Sequence, residues 1–139
     1  MAKVLVIEDD QAIRSVISRA LQRHGHTVLE GFDGRDGFDQ VLRSKVDLVI
    51  TDILMPNQEG IETIQQLKSL EPDLPIIAMS GVMREGPFSV LDDALMIGAD
   101  LALEKPFDVP TLIDAVEQLL RARERRDSFE EPDAVGGTG

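Results

Sequence analysis

Glu8, Asp9, Asp52, Ser80 and Lys105 each stand at, or within two residues of, the carboxyl end of a short apolar run. Four such runs, Val4 to Ile7, Leu48 to Ile50, Pro75 to Met79 and Leu101 to Leu103, read as strands; the first reads as buried and the second as buried on both faces, the kind found in parallel sheets. If the strands are parallel, these ends share one edge, and open α/β sheets bind ligands at that edge. Three carboxylates brought close together repel one another, so holding them ionised at neutral pH calls for a compensating cation. Donors that are all oxygen suit magnesium or a similar hard divalent ion. Such an ion, the Lys105 ammonium and the Ser80 hydroxyl together make a pocket for phosphoryl oxygens, with Asp52 placed as the nucleophile. The expected chemistry is acceptance of a phosphoryl group.

The elements that must position these residues follow from the periodicity. After Glu8, Asp9 and Asp10, the apolar positions Ala12, Ile13, Val16, Ile17, Ala20 and Leu21 predict a first helix, with Gly25 as a stop. Thr27 to Glu30 is a second strand, and Asp33-Gly34 opens a second helix with Phe38, Val41 and Leu42 on one face. A third helix carries Ile61, Ile64 and Leu67 and ends before Pro72. The loop 82–88 contains Gly86-Pro87; Phe88, Leu91, Ala94 and Leu95 then predict a fourth helix that Gly98 stops. Asp108 is an N-cap with Pro110 in the first turn, and Leu112, Ile113, Val116, Leu119 and Leu120 give the fifth helix its stripe. Five strands alternating with five helices predict an α/β fold, a five-stranded parallel sheet with helices on both faces.

The chain of 139 residues suits one domain, expected over residues 1–121, followed by a charged and Gly-rich tail over 122–139 expected to be disordered. A formal charge of -12 opposes direct nucleic-acid binding and favours cations or basic protein surfaces as partners. With no cysteine there is no disulfide framework and no thiolate metal site. The first apolar run is too short for a signal peptide or a membrane span, so a soluble cytoplasmic protein with no membrane partner is expected. His24 and His26 flank a turn glycine and are expected on the surface, without catalytic or metal-binding roles.

Taken together in order, Glu8-Asp9, Asp52 with Met55-Pro56 and Gly60, Ser80-Gly81, Gly98-Ala99-Asp100 and Lys105-Pro106-Phe107 resemble the bacterial response-regulator receiver domain of two-component systems. The resemblance spans roughly residues 3 to 121. It implies a flavodoxin-like fold with strand order 2-1-3-4-5. It also implies that Asp52 accepts phosphate from a histidine kinase or a histidine phosphotransfer protein, and that Asp9, Asp52 and the backbone carbonyl of Leu54 ligate Mg2+, with Glu8 reaching the metal through water. Ser80 and Lys105 would each bind a phosphoryl oxygen, and the Lys105-Pro106 peptide would be cis. Asp10, at the start of the first helix, is not among the implied ligands. No output domain is expected after residue 121, so the signal would pass by docking through the face of strand 4, helix 4, strand 5 and helix 5, by onward phosphotransfer, or through a homodimer. No enzymatic turnover is expected beyond the chain's own phosphorylation and dephosphorylation.

Each residue also has a plainer reading. Asp52 could be a turn residue, Ser80 a strand-end hydroxyl, Lys105 a solvated charge and the acid cluster a helix N-terminus favoured by the dipole. Two rival functions share the site: a receiver-like binding module that takes no phosphate, and a magnesium-dependent phosphohydrolase of the haloacid-dehalogenase type. The latter usually has a second Asp two residues after the nucleophile, where this chain has Leu54. A dinucleotide binder fits less well, since the first strand ends in Glu-Asp-Asp rather than a glycine-rich turn.

Three features depart from the family pattern. Ala102 stands where a Tyr or Phe switch side chain is usual, so no aromatic rotamer switch is expected on that strand. The loop after Ser80 is about three residues longer than the usual spacing, with Phe88 as a candidate to replace part of the missing aromatic. Leu54 and Val82 are apolar where polar groups often orient the hydrolytic water. Loss of phosphate from Asp52 is therefore expected to be slow, and Leu54→Asn is expected to shorten the phosphoryl lifetime measured beside wild type; an unchanged or longer lifetime rejects this.

Overall fold

The computed structural model describes residues 2–53, 60–81, 95 and 98–130, the last four of these by backbone alone. The element order is β1 (Lys3–Ile7), α1 (Gln11–Arg23), β2 (Thr27–Gly31), α2 (Gly34–Arg43), β3 (Leu48–Asp52), α3 (Gly60–Leu70), β4 (Ile76–Ser80), β5 (Leu101–Glu104) and α4 (Val109–Glu130). Apart from Leu95, the helix expected over Phe88 to Leu95 lies outside the described residues, so α4 is the fifth helix of the sequence reading.

The strands form one parallel sheet, as the periodicity predicts, in the order β2-β1-β3-β4-β5 that the family resemblance implies. Side chains alternate across a strand, and here the alternation builds two cores. Leu5, Ile7, Val49, Ile76 and Ala78 face α2 and α3, whose Val41, Ile64 and Leu67 complete that layer. Val4, Val6, Leu48, Ile50, Ile77 and Met79 face the other way, against Ile17 and Leu21 of α1 and Leu112 and Val116 of α4. β1, β3 and β4 are buried almost end to end, which is why their sequences read as unbroken apolar runs.

Local chemistry sets the helix starts. The Asp10 carboxylate accepts the N–H groups of Ala12 and Ile13 at 2.9 and 3.1 Å, and Asp33 accepts that of Asp36 at 2.8 Å. Asp108 accepts the N–H of Thr111 at 2.9 Å, and its hydrogen bonds to Thr111 hold its carboxyl below the usual 3.8. Gly25, at φ 89°, and Gly98, at φ 131°, take left-handed backbone at the turns where the sequence places stops.

Three expectations are corrected. Val16 and Leu42, assigned to the apolar faces of the first and second helices, are 60% and 58% exposed. His26 is buried rather than on the surface: the turn at Gly25 folds it under α4, where its Nε2 meets Glu117 at 3.0 Å and its Nδ1 accepts the N–H of Ala2. α4 also continues to Glu130, nine residues beyond the expected boundary at 121. Beyond the apolar stripe its Arg, Ala and Glu residues are strong helix formers. Arg123 donates to the carbonyl of Asp47 at 2.7 Å, so part of the polar segment docks on the body. Residues 131–139 lie outside the described residues.

Gly60 brings α3 against the end of β3. Its N–H donates to the carbonyl of Ile53 at 2.6 Å, and a Cβ there would lie 2.3 Å from Ile53 Cα and 2.4 Å from the carbonyl oxygen of Asp52. Both neighbours are backbone and cannot turn aside. Gly60→Ala is therefore expected to lower stability by about 1–3 kcal/mol, read as a lower urea midpoint at unchanged slope; an unchanged midpoint rejects this close approach.

Candidate functional site

Register decides which residues meet. Ile7 is opposite Thr51 and Asp52 is opposite Met79, so Glu8 and Asp52 leave neighbouring strands at the same level, with Ser80 one residue further along β4. Ser80 is in turn opposite Glu104, which places Lys105 just past it. Alternation then sorts the side chains: Glu8 continues the face of Val4 and Val6, Asp52 that of Leu48 and Ile50, and Lys105 that of Leu101 and Leu103. All three therefore emerge on the α1 and α4 side of the sheet edge.

Oxygens of Glu8, Asp9 and Asp52 lie within 4.8 Å of one another. Glu8 is 1% exposed and Asp52 7%, whereas Asp9 is exposed. The Lys105 ammonium reaches between the two buried acids, at 2.5 Å from Glu8 Oε1 and 3.5 Å from Asp52 Oδ2. Ser80 is 1% exposed, and its carbonyl accepts the N–H of Lys105 at 2.8 Å. The Lys105-Pro106 peptide is cis. The sequence-predicted Glu8, Asp9, Asp52, Ser80 and Lys105 thus converge on one edge. Leu54, Val82 and Phe88 lie outside the described residues.

Burial pushes the Glu8 carboxyl above its ordinary 4.5, and the nearby Asp52 charge adds to this; hydrogen bonds from Lys105 and from the Asp10 N–H offset part of it. Burial alone would pull the Lys105 ammonium down, but the Glu8 hydrogen bond and the charges of Asp52 and Glu8 outweigh it and hold Lys105 above 10.5. Lys105 is a firm cation beside acids that gain from any further positive charge. One ammonium among three carboxylates leaves the cluster net negative. Its oxygen-only donor set fits a hard divalent ion.

One site neighbour is missing from the sequence reading. Arg14 on α1 is 6% exposed, donates through Nη1 to the carbonyl of Glu8 at 2.7 Å, and pairs through Nε with Glu30 Oε1 at 2.9 Å. The Phe32 ring lies 5.2 Å from its guanidinium carbon. The available signal was its place one turn after the Asp10 cap, since helical side chains lean toward the N-terminus and would cover that turn.

The family described as the response regulator receiver domain matches residues 4–117. Relatives include the DNA-binding transcriptional regulator NtrC of Azospirillum brasilense, 37% identical over 87% of this chain and 24% of its own length. The response regulator MprA of Mycolicibacterium vanbaalenii is 34% identical over 86% of this chain and 50% of its own. Among solved structures, a CheY-like receiver domain protein from Methanospirillum hungatei superposes with a TM-score of 0.84 over 91% of this chain and 98% of that one; at 23% identity it shows the shared fold. The chain therefore belongs to the receiver-domain family of two-component response regulators, a signal-transduction family with the flavodoxin-like fold. It spans about a quarter and one half of the lengths of these two curated relatives.

With metal removed by a chelator, the like charges at the edge oppose folding. Asp52→Asn is expected to raise stability by about 1 kcal/mol in a chelator-containing urea titration. A midpoint at or below that of wild type rejects net repulsion at the edge.

Proposed function

We propose that this chain is a phosphoacceptor of a two-component phosphorelay, taking a phosphoryl group on Asp52 from the phosphohistidine of a histidine kinase or histidine phosphotransfer protein. The observation that carries this reading is the placement of Asp52: a nearly buried carboxylate with an ammonium 3.5 Å away and two further carboxylates within 4.8 Å. An oxygen of Asp52 attacks phosphorus in line with the leaving imidazole. The new O–P bond forms as the donor's P–N bond breaks, and the imidazole leaves with that electron pair. Lys105 meets the charge on one phosphoryl oxygen, and the Ser80 hydroxyl donates to another.

Asp9 and Asp52 directly, Glu8 through water and Leu54 through its carbonyl would hold Mg2+, which when bound offsets the charge of the carboxylates and of the incoming phosphoryl group. An apolar hollow of about 540 Å³ beside Lys105, lined in part by Ala12, Val16, Gly81 and Phe107, offers the donor domain a seat next to the reacting atoms.

Phosphorylation then shifts an existing equilibrium of the face formed by β4, β5 and α4, and the signal passes by docking or self-association there. The acidic balance of the chain supports protein partners over nucleic acid. Among the described residues no helix is long and apolar enough to cross a membrane, in keeping with a cytoplasmic site of action.

Intact mass after acetyl phosphate, with and without magnesium, tests the reading. One magnesium-dependent phosphoryl adduct is expected in wild type and none in Asp52→Asn. No adduct under any condition would favour a phosphate-independent binding module, and steady hydrolysis of acetyl phosphate would favour a phosphohydrolase.

A further inference from the structure

Burying a guanidinium away from water costs several kcal/mol unless its donors are matched. Arg14 is 6% exposed, and two edges of its fork are used in different directions: Nη1 to the Glu8 carbonyl and Nε to Glu30. The carbonyl it holds belongs to the peptide joining Glu8 to Asp9. The remaining polar groups of Glu8 are also tied. The Glu8 N–H donates to the carbonyl of Gly31 at 3.1 Å, and the Glu8 carboxylate takes the Lys105 ammonium and the Asp10 N–H. Glu8 turns inward and is buried while Asp9, the next residue, is exposed, yet their carboxylates come within 4.8 Å. The tilt of the intervening peptide sets that splay, and among the described residues Arg14 is the side chain seen bonded to its carbonyl.

We infer that Arg14, braced by Glu30 of β2 and covered by Phe32, is a positioning residue for the Glu8-Asp9 acid pair and thereby sets the affinity of the edge for a divalent cation. The inference rests on the metal-binding part of the proposed function. Arg14 touches neither metal nor phosphoryl group in this role; it holds the peptide from which two of the acids project. Partners of this kind, one bond removed from the ligands, typically change metal affinity by about 10–100-fold when lost.

Direct Mn2+ binding by electron paramagnetic resonance, with Mn2+ standing in for the hard divalent ion, reads the effect without phosphorylation. Arg14→Met is expected to weaken Mn2+ binding about 10-fold. Its acetyl-phosphate adduct should form at a higher half-saturating magnesium concentration while reaching near wild-type rate at saturation. Glu30→Gln, at a more exposed position, should shift binding in the same direction by less. Ile17→Val, a core change on the same helix, lowers stability but should leave binding unchanged. If Arg14→Met does not fold, Arg14→Lys, which keeps the charge but loses the fork, carries the same expectation. Wild-type Mn2+ affinity in Arg14→Met or Arg14→Lys, alongside a lowered melting temperature, would overturn the inference and leave Arg14 a structural brace. Absence of Mn2+ binding by wild type would overturn the metal reading, and this inference with it.

Discussion

Much of the structure depends on keeping negative charge crowded at one edge of the sheet. Glu8 and Asp52 are nearly buried, Asp9 stands beside them, and the described cation between the buried pair is Lys105, at 2.5 and 3.5 Å. Left to itself, a chain would separate such groups or neutralise them. Here the parallel sheet forbids separation: β1, β3, β4 and β5 all end on the same side, and a polar residue at each end has nowhere else to go. The crowding costs stability, and it leaves the edge ready for positive charge or for a group that brings its own.

The scaffold holds that crowding largely with backbone, helped by the long side chains of Lys105 and Arg14. Apolar strands packed on both faces fix the level at which each acid emerges. The close approach of Gly60 to Ile53 and Asp52 sets the backbone beneath Asp52 from the α3 side. Arg14 and the Gly31 carbonyl hold the Glu8 backbone from the β2 side. At the opposite end of the sheet α4 is tied down separately, through Glu117 to His26 and Arg123 to the Asp47 carbonyl. Polar ties therefore secure both ends of the molecule around an apolar middle.

Ala102 stands on β5 where the family pattern usually has Tyr or Phe. It lies opposite Ala78, on a strand only partly buried. Two small side chains facing each other leave no ring to swing between an inward and an outward rotamer. The family relationship covers residues 4–117, and properties carried by the remaining lengths of NtrC and MprA are those proteins' own.

Fold and acid cluster were largely legible from one dimension because their signals are local. Unbroken apolar runs of three to five residues, separated by helical stripes, dictate buried parallel strands, and parallel strands bring their ends together. The N-cap Asp108, and the placing of Asp10 and Asp33 at helix starts, were readable for the same reason, since a cap acts within three residues. What only the tertiary structure decided are contacts between residues far apart in sequence. Arg14 reads as one more charge on a helix until β2 brings Glu30 beside it, His26 reads as a surface turn residue until α4 closes over it, and the charged segment after 121 reads as a tail until Arg123 finds the Asp47 carbonyl. Periodicity reports which face of an element is apolar; which polar group waits on the neighbouring element depends on packing, and no local pattern encodes it.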